Sequence, residues 1–146
     1  MAVYKLFPSK DATLYSEYPL MNTGIDEILE MSTITAVNGT TPQTSRAIIQ
    51  FDSTEMNNIK DNLVGTASFS VDLKLNMAKI EGLSHDVIVD VQTLALDWNN
   101  GTGKYLDNPQ TTNGTSWKFS TQSGSLEWIG NIPSGATGSY TTTNPG

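Results

Sequence analysis

His85 is the chain's only imidazole, and Ser84-His85-Asp86 is the one place where the residue types of a hydrolytic triad cluster. Consecutive residues of a strand point to opposite faces, so these three cannot relay a proton among themselves. A polar turn leading into a strand accounts for them. Asp86, Asp90, Asp97 and Asp107 carry the oxygen ligands calcium takes, but EF-hand spacing is missing. Acidic residues on a strand's outer face ordinarily serve solvation. The expectation is therefore no cofactor, with a structural calcium on those aspartates as the alternative. With no cysteine, thiolate metal sites, thiol nucleophiles and disulfides are excluded. A glycosidase needs two carboxylates at a set separation, and the chain is short for the cleft that would hold them. The expected protein is not an enzyme.

Aromatic side chains are the better lead. Trp98, Tyr105, Trp117, Trp128 and Tyr140 all fall in the second half, most of them near turns. Stacked on a sugar ring, Trp98, Tyr105 and Trp117 would line a carbohydrate site; packed inward, Trp98 and Trp117 would close the ends of a core. Arg46 is the sole guanidinium in a chain rich in carboxylates. At the head of the most apolar strand it is suited to fork onto a carboxylate or loop carbonyls and organise the sheet. Three Asn-Gly-Thr triplets match glycosylation acceptors but read as hairpin turns.

Strands must position these groups. Residues 66–76 alternate throughout, with Ala67, Phe69, Val71, Leu73 and Leu75 on one face and polar residues on the other, the pattern of a half-buried antiparallel strand. Residues 86–92 repeat it through Val87, Val89 and Val91, after which the apolar parity shifts to Leu94, Leu96 and Trp98. That shift predicts a bulge near Gln92 and Thr93. Residues 46–51 are apolar on both faces and read as a central strand. Residues 3–7, 12–16, 27–37, 115–120 and 126–129 are further strand candidates. Only 53–62 looks helical, with Ser53 or Thr54 as its cap.

Composition agrees. In 146 residues only 37% are hydrophobic and 16% charged, the balance being rich in Thr, Ser, Asn and Gly, which suits a β-protein with polar loops over a helix bundle. Eight basic against fifteen acidic residues give a net charge of −7, which disfavours nucleic acid and anionic membranes as partners. No window approaches a membrane span, and Met1 leads into an apolar run without a secretory pattern, so assembly in the cytosol is expected. The predicted organisation is an all-β antiparallel sandwich over residues 1–129. After it, 130–146 form a polar extended tail or the start of a missing C-terminal part.

The order of motifs resembles the DNRLRE family of jelly-roll domains. It runs from Asn22-Thr23-Gly24 through Arg46-Ala47-Ile48-Ile49-Gln50-Phe51-Asp52 and the 67–75 strand to residues 87–96 and Asp97-Trp98. Gly101-Thr102-Gly103 and Gly114-Thr115-Ser116-Trp117 look like that family's glycine turn and its later Gly-Thr-Trp segment. The likeness spans roughly residues 10–120. It implies a jelly roll with Arg46, Phe51 and Asp52 as structural residues of an inner strand. Members occur in structural proteins of tailed phages and as secreted surface modules, some linked to polysaccharide binding. The resemblance therefore implies a virion structural protein in tail, neck or capsid exterior, contacting other virion proteins and copies of itself, with a host glycan as a further partner. The alternative is an extracellular carbohydrate-binding module. The family normally continues into further strands after the Gly-Thr-Trp region. A sheet left open there would invite another chain to add a strand.

Overall fold

The computed structural model describes residues 3–34, 42–82, 88–94, 96–122 and 124–128. Its architecture is a three-stranded antiparallel sheet with one short helix. Strands β1 (Pro8–Tyr15), β2 (Ser32–Ile34) and β3 (Gln43–Phe51) lie in the order β1-β3-β2. The strand expected to be central, with apolar residues on both faces, is indeed the middle one. β2 pairs with β3 in the register Ser32 to Ser45, Thr33 to Thr44 and Ile34 to Gln43. β1 runs antiparallel to β3, since Ser16 meets Thr44 at one end and Ser9 meets Gln50 at the other.

Two compact units divide the chain. One holds residues 1–9 and 50–90, the other residues 10–49 and 91–146. The core belongs to the second. Ala12 and Leu14 share one face of β1, Ile48 joins them from β3, and Trp98 and Trp128 cover them, with Leu94, Leu96 and Trp117 packed around the edge. Period-two spacing delivers Ala12 with Leu14, and Arg46 with Ile48, to the same side of the sheet. The opposing layer is irregular chain carrying tryptophans. Phe119 and Glu127 form only an isolated antiparallel bridge, where 115–120 and 126–129 were expected to be strands.

β1 would be left with an open edge, because Ser16 N bonds to β3 and the odd-numbered residues of the strand then point their amides outward. Thr23 closes that edge. Its Oγ1 accepts from Thr13 N at 3.0 Å and donates to Thr13 O at 2.6 Å, replacing both bonds of a missing neighbour strand. On β3 the buried Ser45 hydroxyl is likewise satisfied, accepting from Ser32 N and donating to Glu30 O.

In the first unit, α1 (Ser53–Asn58) begins one residue earlier than the expected caps allow. Asp52 is the cap: its Oδ1 accepts from Glu55 N at 2.9 Å. The helix continues as a π-helical stretch, Ile59–Val64, and leaves through Gly65 at φ +59°.

Several expected strands do not form among the described residues. There, 3–7 precede β1 without pairing, 27–34 contribute only β2, and 66–76 and 88–94 belong to no ladder; 35–37 and 86–87 lie outside the described residues. Alternation decides which side chains share a face, whereas a strand also needs a partner backbone at about 4.8 Å. Among the described residues none is hydrogen-bonded to the main chain of 68–82 or 88–94. The bulge expected at Gln92 and Thr93 therefore has no ladder to interrupt. The tail 130–146 and the Ser84-His85-Asp86 turn lie outside the described residues. No helix among the described residues is long and apolar enough to cross a membrane.

Candidate functional site

Three features stand out once the sheet is in place: a buried polar knot, a tyrosine-lined cleft, and an apolar strip without a cover.

The knot forms where the loop after β1 meets two Asn-Gly segments. Asn22 is fully buried. Its Nδ2 donates to Asn100 O at 2.7 Å and to Thr115 O at 2.8 Å, while its Oδ1 accepts from Gly103 N at 2.8 Å. Asn100 Nδ2 returns a bond to Gly24 O at 2.5 Å. Only a primary amide supplies two donors and an acceptor from one flat group, so Asn is required at this position. Backbones approach so closely that a Cβ at Gly24 would overlap the carbonyl of Asn100, and one at Gly114 would press on Gly101. Asn100-Gly101 and Asn113-Gly114, expected to be hairpin turns, are instead parts of this knot. Its groups are used up in holding loops together, with Asn100 Oδ1 the one buried side-chain acceptor lacking a partner among the described residues.

The cleft lies at the end of β1. It is shallow and open to solvent, and is lined by Tyr15, Glu17, Glu30, Ser32, Gln43 and Tyr105 among others. Tyr105 is 46% exposed. Its ring lies 4.9 Å from that of Tyr15 and 6.1 Å from that of Tyr18, the latter edge-on. The turn that presents it is pinned on both sides: Asp26 accepts from Tyr105 N, and Asp107 accepts from Lys104 N and from the Thr111 hydroxyl. The Tyr15 hydroxyl donates to Glu30 Oε2 at 3.1 Å. Burial, and next the Glu30 charge and hydrogen bond, push the Tyr15 phenol well above its ordinary value of 10. The folded state thus holds this proton more tightly than the unfolded chain does. The associated stabilisation is complete below pH 10 and is lost as pH rises above it. In an alkaline absorbance titration of the tyrosines, Tyr15→Phe should remove the latest-titrating phenol and flatten the fall in stability above pH 10.

The strip lies in the unit without a core, where no described residue is buried. Phe69, Val71, Leu73, Leu75 and Met77 are 64, 80, 45, 48 and 70% exposed. Soluble monomers seldom leave such a run of large apolar side chains open to water.

The expected site residues separate. Trp98 is 2% exposed, in the core, and presents no ring face to a ligand. Lys10 lies over that ring, with its Nζ donating to Trp98 O at 2.7 Å and reaching Asp97 at 3.4 Å. The Trp98 amide and this ion pair hold the Asp97 carboxyl below its usual range. Trp117 packs against the core, with the Arg46 guanidinium 5.1 Å from its ring centre. Arg46 thus meets an aromatic face in addition to any fork it makes. Phe51 closes β3 half-buried, and Asp52 caps α1. Among the described residues Tyr105 alone of the three aromatic candidates lines a cleft, and its companions Tyr15 and Tyr18 come from the first half of the chain. The run Tyr15-Ser16-Glu17-Tyr18 at a strand's end was the signal that would have found them. Of the aspartates weighed for calcium, Asp86 lies outside the described residues, Asp97 is bound by Lys10, and Asp107 is engaged in its turn. No group of three His, Asp or Glu side chains suited to a metal occurs among the described residues. Set beside known proteins, the chain matches no family model, no curated protein and no solved structure.

Proposed function

We propose that this chain is a non-enzymatic structural protein that works by contacts between its own copies and with neighbouring proteins of a virion. The tail, neck or capsid exterior of a tailed phage is the setting that its DNRLRE-like motifs imply. The observation that carries the reading is the uncovered strip: Phe69, Val71, Leu73, Leu75 and Met77 alternate as strand residues do, yet stay exposed with their main chain unbonded among the described residues. A surface of that kind is stable in water when another chain covers it. In this reading residues 66–76 find a partner strand on assembly. Acidic polar loops keep the outer face soluble. Particles form in the host cytoplasm. Light scattering coupled to size-exclusion chromatography tests the reading: oligomers are expected at micromolar concentration, and a well-dispersed monomer overturns it.

The tyrosine cleft favours a second reading, an extracellular or virion-surface carbohydrate-binding module. An exposed tyrosine ring beside carboxylate, hydroxyl and amide groups matches the apolar face and polar rim of a sugar ring. Tyr105→Ala should abolish binding on a glycan array and leave the fold intact, because about half of that side chain is already in solvent. A chain that retains no glycan before the substitution is not such a module.

A further inference from the structure

Resting on the assembly reading above, we infer that residues 67–79 pair antiparallel with the same segment of a second copy, about a two-fold axis through Leu73. In such a pair, partners stand equally far on either side of the pivot, so every choice of pivot sets the apolar faces of 67–77 in the two copies on the same side of the pair. Apolar pattern alone leaves the register open. Charge closes it. Between residues 66 and 78 the only ionised side chains are Asp72 and Lys74, two apart on the polar face. Among the described residues neither makes an ion pair within its own chain; Lys79, on the other face, is already held by Glu81 at 2.6 Å. A pivot at Leu73 sets Asp72 of each copy opposite Lys74 of the other, giving two cross-strand ion pairs. A pivot at residue 72 or 74 instead sets like charges face to face, and pivots at 71 or 75 leave both charges opposite neutral residues.

The same register aligns the apolar face. Leu73 meets Leu73, Val71 meets Leu75, and Phe69 meets Met77, an aromatic against a thioether. All five side chains are exposed, in the unit that has no core. The main-chain groups of 68–79, unbonded within the described chain, gain a ladder in the same step. A second copy is therefore the occupant that this strip fits by apolar pattern and charge together.

The chain lacks cysteine, so single cysteines report the register in the full-length protein. Under mild oxidation Leu73→Cys should give a disulfide-linked homodimer. Val71→Cys and Leu75→Cys should link when mixed and not when alone. Asp72→Lys, which places lysine opposite Lys74 twice, should weaken the association about tenfold or more, and Asp72→Lys with Lys74→Asp should restore it. Linking of the Leu73→Cys variant together with charge-swap rescue supports the inference. Oligomers that link at another position, or that ignore the charge swap, overturn this register and leave the assembly reading standing. Monomers throughout overturn both.

Discussion

Trp98→Ala should cost the protein about 3–5 kcal/mol and abolish the thermal transition's cooperativity before it touches any binding property. Trp98 shares one core cluster with Ala12, Leu14 and Ile48 of the sheet and with Trp128, with almost none of its surface in solvent. Among its described residues the irregular layer over the sheet has only an isolated bridge, so the large rings hold it down together with the Asn22 knot. Removing one leaves a cavity that loops could fill only by abandoning their other bonds. Lys10 loses its ring partner in the same step, although its bond to the Trp98 carbonyl can survive. Chemical denaturation followed by circular dichroism would measure the effect. A change below about 1 kcal/mol would mean that Trp98 is not a core residue. The contrast with Tyr105→Ala is instructive, since that exposed ring can be removed with little effect on folding.

Asn22→Asp is expected to be nearly as severe, although it changes one NH₂ to an oxygen. The buried carbonyl of Thr115 and the partly buried one of Asn100 lose their donor and face a carboxylate oxygen instead. A buried acceptor left without a partner costs about 1–3 kcal/mol, and here two are affected together with an unpaired charge. A loss of about 4 kcal/mol is the expected outcome at neutral pH. The isosteric change leaves volume untouched, which separates the hydrogen bonds from packing. Thermal melts of Asn22→Asp beside Asn22→Ala would decide the matter: equal stability of Asn22→Asp and the native chain would show that the knot does not depend on the amide's donors.

Local chemistry legible in the chain was largely realised. Residues 46–51, apolar on both faces, became the central strand, because a segment that can bury both faces has no other stable place in a sheet. Asp52-Ser53-Thr54-Glu55 started a helix, though the carboxylate and not a hydroxyl took the cap. The absence of cysteine and the scarcity of arginine bound the possible chemistry before any fold was known. Each of these depends on a residue and its near neighbours.

Tertiary structure decided the rest. Asn22, Asn100 and Asn113 look like ordinary turn residues until three distant loops converge, and then they are the knot that closes β1's side of the sheet. Tyr15, Tyr18 and Tyr105 become a cleft only because the turn at 104–107 folds back toward the end of β1. In contrast, the clearest strand pattern of all, at 66–76, has no partner within the described chain. Alternation is a property of a segment, but pairing is a property of two, and a sequence states the first without naming the second. The pairing proposed with a second copy takes its register from Asp72 and Lys74 of that segment.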